Sequence, residues 1–154
     1  MNATIKTCAA IFAMLVISFT SFCQKKDHVQ WSFESRKKSD NKYEVVLRAT
    51  IAEPWHIYSQ LTPKGGPLPT QITFASNPIT LIEGSAKEVG KLETHHDKNF
   101  GVDVKYFSDH VDFVQTIKRK GTVKTTVRGS IEYMICDDTK CLPPVKKSFT
   151  VEIL

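Results

Sequence analysis

Cys136-Asp-Asp-Thr-Lys-Cys141 holds the side chains best suited to chemistry in this sequence, two thiols with four residues between them. Two cysteines so close can exchange between dithiol and disulfide, taking up or releasing two electrons. Stability is a poor reason to join them. In the chain-entropy picture a six-residue ring contributes only ~2 kcal/mol, against ~4 kcal/mol for a ring of about sixty residues. The pair therefore reads first as redox-active, with a plain structural staple as the alternative. Asp137 and Asp138 raise a neighbouring thiol pKa, whereas Lys140 lowers that of Cys141, so Cys141 is the expected attacking or attacked sulfur. His95-His96-Asp97, His56 and the two thiols could together hold copper or zinc, since thiolates and imidazoles suit both. The Cys-x-x-x-x-Cys spacing is not a standard metal knuckle, and the expectation is that the protein uses no metal and no cofactor.

The other two cysteines, Cys8 and Cys23, lie in an amino-terminal stretch with the layout of a secretory signal: Lys6, an apolar run over Ala9–Ile17, then Ser21 and Cys23 as small residues before a cut at Gln24. The run is short of the roughly 20 residues needed to span a bilayer, so no membrane span is expected in the mature form. Phe22 is bulky where a lipid anchor on Cys23 wants a small residue. The expected organisation is a signal peptide over 1–23 and one domain over 24–154, in a compartment where disulfides persist. Removing Lys6 takes the formal net charge from +5 to +4. The basic residues are scattered in short runs such as Arg36-Lys37-Lys38 and Lys118-Arg119-Lys120 without interleaved aromatics, which argues against nucleic acid as a partner.

The elements that must position the thiols are strands. Period-two alternation marks Val29–Phe33, Tyr43–Ile51, Gln71–Phe74, Val111–Ile117, Thr122–Val127, Ile131–Ile135 and Ser148–Ile153, with turn formers such as Asp40-Asn41, Lys64-Gly65-Gly66-Pro67 and Lys120-Gly121 between them. Seven or more short strands and no sustained helical periodicity indicate an all-β, immunoglobulin-like antiparallel β-sandwich. Trp31, Phe33, Phe74, Phe113 and Phe149 alternate within strands and belong to its core. The cysteine pair falls between Ile131–Ile135 and Val145–Ile153, at a hairpin end where a partner protein could reach a sulfur. Pro143-Pro144 cannot donate ladder hydrogen bonds and keep the next segment extended and outside the sheet.

Tyr133-Met-Ile-Cys136-Asp-Asp-Thr-Lys-Cys141-Leu-Pro143-Pro144, late in an exported β domain, resembles the amino-terminal periplasmic domain of the thiol:disulfide interchange protein DsbD, also called the disulfide bond corrector domain. The likeness runs over Val29–Leu154. It implies an immunoglobulin-like fold and a carrier that takes electrons from the thioredoxin-like domain of a membrane electron transporter and hands them to periplasmic oxidoreductases, with a place in cytochrome c biogenesis. It also implies site residues. Pro54-Trp55-His56-Ile57-Tyr58 stands where the family has an aromatic-rich strand end, so His56 and Tyr58 take the places of tyrosines that line the cysteine pocket. Asp97-Lys98-Asn99-Phe100-Gly101 resembles the family's cap loop. Asp97 is then the carboxylate that assists proton transfer, Asn99 and Phe100 the cap, and Gly101 the turn residue. Departures accompany the match: the best-known member has five residues between its cysteines, and Lys98 and Asn99 stand where the family has Glu and Phe. The chain stops at Leu154 without a thioredoxin-like portion, so the electron source is expected to be a separate protein. Three classes stay open: a dithiol–disulfide exchanger, an immunoglobulin-like binding module with a structural disulfide, and a metal-binding accessory protein.

Overall fold

Alternation in β2 (Lys42–Ile51) puts Tyr43, Val45, Leu47, Ala49 and Ile51 on one face, and all five are buried. β1 (Val29–Lys37) and β8 (His110–Arg119) pair antiparallel on either side of it, stacking Phe33, Leu47 and Phe113 in one cross-strand row and Trp31, Ala49 and Val111 in the next. β5 (Thr80–Gly90) completes a four-stranded sheet in the order β1-β2-β8-β5. The buried Gln115 on β8 donates its side-chain amide to the carbonyls of Glu83 (2.9 Å) and Gly84 (3.4 Å), where the β5 register shifts, so the irregular edge keeps hydrogen-bond partners.

Facing this sheet is a second, β11-β9-β4, built from β4 (Gln71–Phe74), β9 (Thr125–Tyr133) and β11 (Val145–Ile153). Val127, Ile131, Tyr133, Phe149, Val151 and Ile153 close the core against the first sheet. Trp31 lies 6.0 Å from Phe113 and 5.2 Å from Tyr133 between ring centroids, and Phe149 lies 5.7 Å from Phe33 and 5.5 Å from Phe74. The aromatics expected in the core thus form a ladder between the sheets. The layers are also tied by hydrogen bonds: the Ser35 hydroxyl donates to the Glu152 carbonyl and the Tyr43 hydroxyl to the Leu154 carbonyl, each at 2.6 Å.

The computed structural model describes residues 27–97 and 100–154, and among them it is all-β, an immunoglobulin-like antiparallel sandwich with no helix and hence none long and apolar enough to cross a membrane. The proposed signal peptide, with Cys8 and Cys23, and the residues Lys98 and Asn99 lie outside the described residues.

A third sheet carries the cysteines. Its order is β10-β3-β7-β6, from β3 (His56–Tyr58), β6 (Glu93–Asp97), β7 (Val102–Phe107) and β10 (Ile135–Cys136). The run expected as one strand over Ile131–Ile135 breaks at Met134: Tyr133 pairs with β11, whereas Ile135 and Cys136 pair with Ile57 and His56. The cysteine pair thus lies, as expected, in the connection of the β9–β11 hairpin beyond its last pair Tyr133–Val145, and that connection also forms the edge of a separate sheet. The segment after β3 is pinned beneath that sheet. Ser59 N and the Thr62 hydroxyl both donate to the Lys105 carbonyl at 2.8 Å, and Glu88 accepts from the Ser59 hydroxyl (2.6 Å) and from Gln60 N (2.7 Å). Thr94–Phe107, which carries little apolar alternation in its first half, is the β6–β7 hairpin, closed by Gly101 at a φ of 68° that favours glycine.

Candidate active site

Strand alternation assembles the site. Ile57 and Ile135 point into the main core, at 0 and 4 % exposure, so their neighbours His56, Tyr58 and Cys136 share the opposite face. On that face the register sets Cys136 beside His56, Tyr58 beside Tyr106, Tyr106 beside Glu93, and Val104 beside His95. Asp97 pairs with Val102 at the far end of the hairpin. The result is an open cleft of about 730 Å³ walled by His56, Tyr58, His95, Asp97, Phe100, Val104 and Tyr106 on one side and by Asp137–Cys141 on the other.

Cys136 and Cys141 form a disulfide with their Cα atoms 4.0 Å apart. Hydrogen bonds from Leu142 N to the Ile135 carbonyl (2.8 Å) and from Asp137 N to the Lys140 carbonyl (2.9 Å) flank the pair, so the cysteines sit opposite each other at a non-hydrogen-bonded position, where cross-strand side chains approach most closely. One oxygen of the Asp137 carboxylate accepts from Thr139 N (2.8 Å), the Thr139 hydroxyl (2.7 Å) and Lys140 N (2.9 Å), which shapes the tight turn and holds the carboxyl below its usual range. The two sulfur-bearing residues differ in one decisive respect. Cys136 is 1 % exposed, whereas Cys141 is exposed.

The part of the wall nearest the disulfide is aromatic, formed by His56, Tyr58 and Tyr106. The His56 ring lies 4.8 Å from that of Tyr106, with its Nε2 3.3 Å from the Tyr58 hydroxyl. Burial pushes the His56 pKa down, against the opposing pull of Asp138, Asp137 and Glu93. Burial, with Asp97 and Tyr106 nearby, pushes Tyr58 up to about 12, and burial likewise raises Tyr106. Tyr58 therefore gives the fold a pH limit. Its contribution is complete below the unfolded phenol value of about 10 and is lost as pH rises toward 12. In absorbance titration at 295 nm, the highest-pH phenolate step disappears in Tyr58→Phe; its persistence there would refute the assignment.

Trp55 is 9 % exposed, stacks on His28 at 4.1 Å and carries the Lys140 ammonium 5.8 Å from its ring centroid. The residues imagined as a metal set are divided. His95 lines the cleft, but His96 faces away and pairs with Asp103 at 2.7 Å, and among the described residues no three His, Cys, Asp or Glu side chains cluster as a metal site. Tyr106 and Val104 are cleft residues that the sequence reading missed. Their signal was present in the alternation of Val102-Asp-Val104-Lys-Tyr106 directly after a glycine.

Comparison with known proteins gives the same picture. The fold is similar to the amino-terminal domain of DsbD from Neisseria meningitidis in its reduced form, with a TM-score of 0.51 and 18 % identity, covering 80 % of this chain and 83 % of that one. It is also similar to the amino-terminal periplasmic domain of ScsB from Proteus mirabilis, with a TM-score of 0.51 and 12 % identity over 84 % of this chain. This chain spans about half of the latter, 47 % of its length. No curated protein matches significantly. The family profile described as "Thiol:disulfide interchange protein DsbD, N-terminal" matches residues 21–153. Its chemistry is thiol–disulfide exchange, which requires a disulfide that a partner can reach. By that match, the chain belongs to the family of DsbD amino-terminal domains.

Proposed function

We propose that this protein is an exported electron carrier that cycles Cys136 and Cys141 between dithiol and disulfide. A thioredoxin-like domain of a membrane electron transporter reduces it, and it in turn reduces other periplasmic oxidoreductases. The observation that carries this reading is the asymmetry of the pair, with Cys141 exposed on an open cleft and Cys136 buried behind it. A partner thiolate attacks Cys141, the Cys136–Cys141 bond breaks with Cys136 leaving, and a mixed disulfide forms. The partner's second thiol then resolves that bond, leaving two thiols on this protein and a disulfide on the partner. In this reading Asp97, on the rim, assists proton transfer with the incoming thiol. Phe100, at the hairpin tip and 45 % exposed, shields the bond from small thiols. Residues 1–23 direct export and are removed.

The test is reduction of the purified domain in glutathione buffers, followed by alkylation mass and circular dichroism. The expected result is a potential well above about −300 mV, with an unchanged β spectrum in the reduced protein, because the six-residue ring contributes little to a core built between two other sheets. A lower potential, or loss of the β spectrum upon reduction, would identify a structural staple instead.

A further inference from the structure

We propose that His56 is the proton acceptor for Cys136 when the disulfide closes, and the donor to it when the disulfide opens. This rests on the exchange reading above. Cys136 pairs in register with His56, and directly opposed side chains on neighbouring strands have Cβ atoms roughly 4.5–5.5 Å apart on one face. On its other flank Cys136 has only its disulfide partner. At 1 % exposure the Cys136 thiol has little access to a solvent base, so a side chain must move its proton.

Asp137, Asp97, Tyr58 and Tyr106 are less well placed. The Asp137 carboxylate is engaged by Thr139 and Lys140 within the turn. Asp97 is on β6, three strands from β10, or about 14 Å at ~4.8 Å per strand along the sheet. Tyr58 and Tyr106 hold their protons more tightly than free phenols. The groups facing His56 are Tyr58 on its own strand, Tyr106 on β7, Glu93, His95 and Asp97 on β6, and Asp137, Asp138 and Lys140 on the cysteine turn. Burial outweighs the nearby carboxylates and keeps the imidazole neutral at pH 7, the form that accepts a proton. In the tautomer whose Nε2–H donates to the Tyr58 hydroxyl, Nδ1 keeps its lone pair for a proton.

In the reduced protein the Cys141 thiolate attacks one sulfur of a partner disulfide, whose bond breaks and releases the first partner thiolate. Cys136 then gives its proton to His56 and its electron pair to the Cys141 sulfur. The mixed disulfide breaks, the second partner thiolate leaves, and it takes a proton from the imidazolium or from water. Two electrons have passed to the partner; the Cys136 proton leaves through His56, and the first partner thiolate takes its proton from solvent, to which Cys141 had released its own.

Ellman's reagent, an aromatic disulfide, reports both events by absorbance at 412 nm when mixed with reduced protein. The first release comes from attack by Cys141 and the second from ring closure by Cys136. In the wild type, the second rate should rise through one inflection below pH 7 and then level off. In His56→Gln that inflection should move above pH 8, with the rate at pH 7 at least about tenfold lower. An unassisted thiol of pKa ~8.5 is only about one-thirtieth ionised at pH 7. The first release should stay within about twofold in both proteins. Identical second-phase profiles in wild type and variant overturn the role of His56 while leaving exchange intact. A folded wild type that gives no second release overturns exchange itself. If His56→Gln loses its near-UV dichroism, the wild-type profile alone decides, since a single inflection above pH 8 excludes a histidine base.

Discussion

In Cys136→Ser the remaining thiol is expected to react with iodoacetamide at least about a hundredfold faster at pH 7.5 than the remaining thiol of Cys141→Ser. Cys141 is exposed on the cleft, whereas Cys136 is 1 % exposed beneath it and paired to β3. Alkylating Cys136 requires opening the turn away from His56, and an opening free energy of about 3 kcal/mol alone lowers the reactive population by about a hundredfold. Lys140, one residue before Cys141, favours the thiolate there through space, while Asp137 and Asp138 disfavour it on the Cys136 side. The same difference predicts which variant traps a partner: Cys136→Ser should accumulate a mixed disulfide with a thioredoxin-like protein, and Cys141→Ser should not. Equal alkylation rates, or trapping only by Cys141→Ser, would reverse the assignment of the two sulfurs.

How much of this was legible in the residues follows from how locally each feature is encoded. Tyr43–Ile51 and Val111–Ile117 were readable because each buries every second side chain against a facing sheet, which writes alternation into the sequence. β5 and β6 were not. β5 is an edge strand with an irregular register, and β6 carries Glu93, His95, His96 and Asp97 on an edge with no core on either face, so neither needs an apolar period. The boundary at Met134 was equally hidden. Tyr133-Met-Ile-Cys136 is continuous in composition, and only the competing partners, β11 for Tyr133 and β3 for Ile135, divide it between two sheets.

The site shows the same division. Cys136, Cys141 and the charges between them are adjacent in sequence, and their chemistry could be read directly. From the residues alone His56 beside Cys136 could not, because the two are eighty positions apart and only strand register brings them together; the resemblance placed it in the cysteine pocket. Asp97 and Phe100 came from the resemblance and not from spacing. The structure sets both on the cleft, Phe100 at the tip with its N–H 3.3 Å from the Asp97 carboxylate oxygen.

Gly129→Ala is expected to be the most damaging single-methyl change in the protein. Gly129 lies inside β9, opposite Phe149 on β11 and Phe74 on β4, where a strand interior would ordinarily favour a side chain. A Cβ at this position would collide with the Thr73 carbonyl oxygen and come within 2.5 Å of the Phe149 ring. Neither neighbour can yield cheaply. The Thr73 carbonyl is main chain in a paired strand, and Phe149, 3 % exposed, is fixed between Phe33 and Phe74. Overpacking of this kind costs typically 1–3 kcal/mol, and with main chain as the obstacle the expected loss is about 3 kcal/mol. That is a large fraction of the stability of a domain this size. Urea unfolding followed by tryptophan fluorescence measures it, because Trp31 sits in the same inter-sheet ladder. The control is Gly121→Ala, in a turn at a φ of 74° with open space around the added methyl, which should cost only the backbone strain of about 1 kcal/mol. A Gly129→Ala midpoint equal to that of the control would mean that β4 and β11 can separate at low cost, and that the aromatic ladder does not hold the second sheet as tightly as its packing implies.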